Sequence, residues 1–282
     1  MGLVLRCGQR TLDLERPLVM GILNVTPDSF SDGGDYFDLD AAVARGLELA
    51  AQGAALIDVG GESTRPGARA VAAQEELSRV IPVVQRLRPL VQAVISIDTS
   101  KPQVMRAASA AGAEFINDVW ALREPGALEA ALESGCAVCL MHMQGEPRTM
   151  QHSPRYSDVV GEVRQFLRER VALCRAAGMS ADRIVLDPGF GFGKTLEHNL
   201  QLLRHLDEFA ADGLPVLAGL SRKSLIGRLT GRPAPQRASG SVAAALMAAL
   251  KGARILRVHD VAATVDALKV LEAIDARSAL IP

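Results

Sequence analysis

The 282-residue chain is nearly neutral, with 31 Lys and Arg against 32 Asp and Glu. That balance excludes a global field for drawing in nucleic acid or an anionic membrane, so any anion recognition must be local. Hydrophobic residues make up 49%, with 25 Gly and 14 Pro, a composition of globular chains with many tight turns. No apolar run is long enough to span a bilayer, and the N-terminus lacks a basic start followed by an apolar core. The expectation is a reduced, cytoplasmic protein.

In chain order, Val4-Leu5-Arg6 and Arg10-Thr-Leu-Asp13 predict a small β-hairpin ahead of the main fold. A rhythm of short apolar runs ending in polar residues then sets in. These runs are Met20–Asn24, Ala55–Gly60, Ala93–Asp98 and Phe115–Asp118, followed by Val138–His142, Ile184–Asp187, Val216–Ser221 and Ile255–His259. Helical patterns alternate with them over Leu39–Gln52, Gln74–Leu87, Pro102–Ala111, Gly126–Glu133 and Asp158–Ala176, then Leu196–Leu206, Arg237–Leu250 and Val261–Ala276. Ser100-Lys-Pro102 reads as a cap before a first-turn proline, and glycines 53, 112 and 178 close helices.

Eight strand–helix units predict a parallel sheet covered on both faces, and eight is the count at which such a sheet closes. An open doubly wound sheet would need a nucleotide fingerprint at its switch point, and none is present. The predicted fold is therefore one α/β domain over residues 1–282, a closed (β/α)8 TIM barrel with an N-terminal β-hairpin. Cys136 and Cys139 are spaced like a redox or zinc pair. In a strand, however, positions three apart face opposite ways, so they read as buried small hydrophobes.

Ile184–Thr195 is a strand ending on Asp187 and opening into Gly189-Phe-Gly191-Phe-Gly193-Lys194-Thr195. It imitates a P-loop, but the position that needs the first glycine holds Pro188, which has no N–H to donate. The glycines predict a wide, flexible mouth. In a barrel the site is built at the carboxyl ends of the strands. Those ends here carry Asn24, Asp98, Asn117, Asp187, Ser221-Arg222-Lys223 and Arg257-Val258-His259. Carboxylates and an amide suit a flat heterocycle such as a pterin or a purine. Lys223, Arg257 and His259 fall at the seventh and eighth barrel strands, where such folds commonly hold a phosphate. The loops Asn24–Gly34 and Gly60–Gly67 add oxygen-bearing and Thr-Arg side chains at the same rim, and hard oxygens beside a phosphate suit Mg2+. Taken alone, each loop is also consistent with ordinary turn chemistry. His152, His198 and His205 read as surface residues, and Lys101 and Arg222 as solvated charges at helix starts. His142 and Trp120 are open between lining the mouth and packing beneath it.

Several segments together are similar to those of the bacterial dihydropteroate synthases. They are Gly21–Gly34, Gly60–Gly67, Ile97–Pro102, Ile116–Asp118, Met141–Gly145, Asp187–Lys194, Ser221–Ser224 and Arg257–Asp260, in the family's order and over essentially the whole chain. The resemblance implies a pterin-binding barrel that joins 4-aminobenzoate to (7,8-dihydropterin-6-yl)methyl diphosphate, giving dihydropteroate and pyrophosphate. It implies that Asp98, Asn117, Asp187 and Lys223 hold the pterin. Asn24 would hold Mg2+, with Asp32 as a further candidate, and Thr64, Arg257 and His259 would bind diphosphate oxygens. Phe30, Arg65, Pro66, Phe190 and Ser221 would shape the aminobenzoate site, where sulfonamides compete. The implied catalytic groups are Asp98, Lys223, Arg257 and His259, and the implied assembly is a homodimer. Pterin-dependent methyltransferases and a non-catalytic pterin binder are the rival readings; neither needs both a diphosphate grip and the two loops.

Overall fold

The computed structural model describes residues 2–26, 38–63, 70–145, 149–151 and 153–275. At its start, β1 (Val4–Cys7) and β2 (Arg10–Asp13) form an antiparallel hairpin. The parallel strands follow as β3 (Leu18–Asn24), β4 (Leu56–Gly60), β5 (Val94–Asp98), β6 (Phe115–Asp118) and β7 (Ala137–Met141). After them come β8 (Ile184–Asp187), β9 (Val216–Ala218) and β10 (Ala253–Val258). Each pairs with the next and β10 pairs back onto β3, so the sheet closes into the expected barrel.

Alternation along the strands divides each between two layers. Ile57 and Val59 of β4 face outward into the packing between barrel and helices, and Leu56 faces inward. The inward row of Met20, Leu56, Val94, Phe115 and Ile255 fills the amino end of the barrel, and Leu5, Cys7 and Leu14 of the hairpin region seal it from below. One pleat higher the interior changes character. Ile22 is in register with Asp58 and Asp58 with Ser96; then Gly60 aligns with Asp98 and Asp98 with Asn117.

The helices follow their capping chemistry with three differences. Pro102 opens its helix and Gly112 closes it at a φ of +109°, but the Ser100 hydroxyl does not cap. It donates instead to the Asp118 carboxylate at 2.5 Å. The pattern expected over Leu196–Leu206 breaks at His205 into Leu196–Arg204 and Leu206–Ala210. A further helix, Ser224–Thr230, had no apolar periodicity long enough to announce it. Cys136 packs in the outer layer and Cys139 inside the barrel, so they do not face one another. No described helix is long and apolar enough to cross a membrane.

Candidate active site

The upper barrel interior is a cluster of ions assembled from five strands. Asp58, fully buried in the middle of β4, is its hub. Its carboxylate accepts from Ser96 Oγ, from Asn117 Nδ2 at 2.9 Å and from Arg257 Nε at 2.5 Å. Arg257 Nη2 donates in turn to Asp98 Oδ2 at 2.6 Å. The guanidinium therefore bridges two carboxylates from neighbouring strands through two different nitrogens, a fixed orientation that its planar fork supports. Burial works against the charge on Arg257, but Asp58 and Asp98 more than offset this and its pKa is raised. Asp98 is pushed up to about 7, first by burial and then by Asp58, with Arg257 pulling the other way.

Lys223 and Asp187 form the facing half. Burial lowers the Lys223 pKa to about 8, with Arg257 adding to the effect and Asp187 opposing it. Burial raises that of Asp187, against the pull of Lys223 and of the Gly189 N–H, which donates to Asp187 Oδ1 at 2.7 Å. The Lys223 ammonium donates to the Phe190 carbonyl and lies 4.5 Å from the centre of the Phe192 ring. Ser221 Oγ is 3.0 Å from His259 Nδ1.

The glycine-rich loop is not the wide, flexible mouth expected of it. Gly189 has a φ of +72°, and a Cβ there would lie 1.9 Å from the His142 carbonyl oxygen; at Gly193 (φ +60°) it would lie 2.4 Å from that of Gln144. The glycines thus serve close backbone approach to the loop after β7. Gly191 N–H donates to Asn199 Oδ1 at 2.7 Å, and Tyr156 Oη donates to the Gly193 carbonyl at 2.9 Å. Lys194 is buried beneath the loop, 3.0 Å from His142 Nδ1 and 3.0 Å from the Phe192 carbonyl oxygen. Burial lowers its pKa to about 7, and burial followed by the Lys194 charge lowers that of His142 to about 2. His142 therefore packs behind the mouth as a neutral ring, edge-on to Phe166.

Other expectations need correction. The Phe190 side chain is fully buried in the layer between barrel and helices, so only its carbonyl reaches the mouth. The ring turned to Lys223 is that of Phe192. Lys101 is not a solvated charge but a half-buried bridge between Glu62 and Glu76. Arg222 forks onto Asp260. His198 is not a bystander either, since it completes a capping box with Thr195. Asp118 takes N–H groups from Trp120 and Leu122 and so shapes the turn after β6; Trp120 packs there with Arg123 over its ring. Phe30, Asp32, Thr64, Arg65, Pro66 and His152 lie outside the described residues.

Sequence reading missed Asp58, Lys194 and Phe192. A carboxylate inside the apolar run Ala55-Leu-Ile-Asp-Val-Gly60 was a usable signal for Asp58, because a central strand buries a charge only when partners meet it. Asn24 ends β3 in register with Gly60, which is itself in register with Asp98, and so places an amide oxygen at the same rim. Among the described residues, no three His, Cys, Asp or Glu side chains cluster as a protein-made metal cage.

A barrel with an amide and carboxylates on one side of its mouth and a lysine and an arginine beside them has the chemistry to bind a flat heterocycle next to an anion. The family model described as pterin binding enzyme matches residues 20–259. Dihydropteroate synthase of Escherichia coli K12 is 55% identical over 263 residues, covering 93% of each chain. The structure of Xanthomonas albilineans dihydropteroate synthase with 4-aminobenzoic acid superposes with a TM-score of 0.93 at 57% identity, covering 99% of this chain and 100% of that one. The same enzyme in complex with 7,8-dihydropteroate gives 0.90 at 55% identity, covering 98% and 100%. The chain belongs to the dihydropteroate synthases, within the pterin-binding enzymes.

Proposed function

We propose that the chain condenses 4-aminobenzoate with (7,8-dihydropterin-6-yl)methyl diphosphate, giving 7,8-dihydropteroate and pyrophosphate. The observation that carries this reading is the Arg257 guanidinium held between Asp58 and Asp98 under a mouth shared with Lys223. Breaking the CH2–O bond sends its electron pair to the diphosphate and leaves positive character on the CH2. The amine nitrogen then closes the C–N bond and gives up a proton. The leaving group needs cations where its charge grows, and the carbon needs an anion nearby. Lys223, Arg257, His259 and Thr64 serve the first need and Asp98 the second.

Asn117 has given its N–H to Asp58, which leaves its amide oxygen for a pterin N–H. Asp187, with one oxygen on Gly189, offers the other to the amino-pyrimidine edge. Ser221 and Phe192 bound the aminobenzoate side, to which the family resemblance also assigns Phe30, Arg65 and Pro66. Asn24 would hold Mg2+ through its amide oxygen, with the diphosphate and water as the remaining donors. Bound there, Mg2+ would supply charge neutralisation at the diphosphate. No activated Ser or Cys is needed, because the arylamine is already a nucleophile.

The reading includes a homodimer. Met247, Leu250, Val270 and Ile274 stand exposed on the helices Ala238–Leu250 and Val261–Asp275, an apolar face of the kind that pairs with a second copy. Light scattering should give twice the mass of one chain.

The test is pyrophosphate release from the dihydropterin diphosphate, with and without 4-aminobenzoate and Mg2+. Release coupled to dihydropteroate formation and lost without Mg2+ is expected. Tight pterin binding without release would move the chain to the methyltransferase or binder reading.

A further inference from the structure

Ser221 and Lys223 leave one loop in opposite directions. β9 lies between β8 and β10 in the barrel. Ser221 turns to the β10 side, where its Oγ also accepts the His259 N–H at 3.2 Å. Lys223 turns to the β8 side, onto the Phe190 carbonyl. Between them Arg222 has a φ of +56°, in the left-handed region that a residue with a long side chain rarely occupies. Such a conformation persists only where its surroundings hold it.

Here they do so from three sides. The Arg222 N–H donates to Ser241 Oγ at 2.9 Å, and its carbonyl accepts from Arg237 Nη1 at 3.0 Å. Its guanidinium forks onto Asp260, with Nε to Oδ2 at 3.0 Å and Nη2 to Oδ1 at 2.5 Å. Asp260 directly follows His259, and its carbonyl accepts the Thr264 N–H and hydroxyl at the start of the last helix. One fork thus ties the residue between Ser221 and Lys223 to the residue beside His259. The Arg222 side chain is 36% exposed, so the pair adds little to stability. Its two-point geometry fixes orientation instead.

We propose that Arg222 and Asp260 are positioning residues, a clasp that holds Lys223 and His259 in register against the departing diphosphate and fixes Ser221 beside His259 on the aminobenzoate side. The inference rests on the condensation reading. Neither side chain needs to touch substrate; the clasp sets the distance between groups on two loops, and a misplacement of about 1 Å at such groups costs on the order of 100-fold in rate.

The experiment compares Arg222→Met, Asp260→Asn, the double variant and Arg222→Lys, all normalised to pterin-binding sites so that misfolded chain is not counted. Each single variant should lose about 30-fold in kcat/KM and about tenfold in affinity for inorganic pyrophosphate, with hydroxymethyl-dihydropterin affinity held within about twofold. The double variant should be no worse than about twofold below the singles, since one interaction is removed only once. Arg222→Lys should recover little, because a point charge cannot fork. Full recovery by Arg222→Lys, multiplying losses in the double variant, or a single variant with unchanged pyrophosphate affinity would each overturn the clasp. The unsubstituted chain assayed alongside reports on the condensation itself, so a loss confined to the variants speaks to the clasp alone.

Discussion

The two ends of the barrel interior stand on the same strands and share almost no chemistry. At the amino end, Leu56, Val94, Phe115 and Ile255 meet Leu5 and Leu14 in an apolar plug. Two residues further along β4, β5 and β10 stand Asp58, Ser96 and Arg257, bonded into one network. The plug asks only for volume and shape, and close packing supplies both. The ion cluster asks for a partner on every atom, because low polarity magnifies a missing contact as much as a made one. Stability should therefore draw on both ends, and turnover on the ion-cluster end alone.

The largest effect should come from Asp58→Asn. It strands the buried Arg257 charge, and we expect on the order of 3 kcal/mol less stability, with kcat/KM falling about 1,000-fold. Urea titration and pyrophosphate release measure both; near-parental turnover would remove Asp58 from the site. Phe115→Ala is the converse. It should lose about 3–4 kcal/mol by the same titration while turnover per folded molecule stays unchanged. A parallel fall in turnover would erase the division between the two ends.

Asp98→Asn should come next, lowering kcat about 100-fold with pterin affinity within about threefold. Equal losses in both would sink its role at the cationic carbon. Smallest is the pH response. With Asp98 raised to about 7 and Lys223 lowered to about 8, kcat/KM should rise as pH climbs to about 7 and Asp98 loses its proton. It should fall above about 8 as Lys223 loses its own, each limb changing about tenfold per pH unit. Asp98→Asn should flatten the rising limb only, and a profile flat from 6 to 9 would refute both assignments.

The barrel was legible because strands buried on both faces must still end in water, and those ends carry the polar residues. Asp98, Asn117 and Asp187 could be picked out on that ground. Asp58 escaped the same reasoning because it lies mid-strand, where its partners come from β5, β6 and β10 and no local pattern shows them. The exchange of Phe190 for Phe192 has a similar cause. Between left-handed glycines the chain has no fixed alternation, so which ring faces Lys223 depends on how tightly Gly189 and Gly193 press against the neighbouring loop. Arg222 reads in sequence as one more basic residue at a helix start; only the fold puts Asp260 opposite it.

The amino-end plug bears on how the chain is made. Leu5, Cys7 and Leu14 are synthesised before every barrel strand, yet they share a cluster with Leu217 of β9 and Ile255 of β10, the last two strands of the barrel. The hairpin can form as soon as it leaves the ribosome, but it cannot seat until β9 and β10 have emerged and the sheet has closed. Through the intervening period its apolar face has nowhere permanent to go, a state open to aggregation during vectorial synthesis. The cork of this barrel leaves the ribosome ahead of the strands it seals and is the last to find its place.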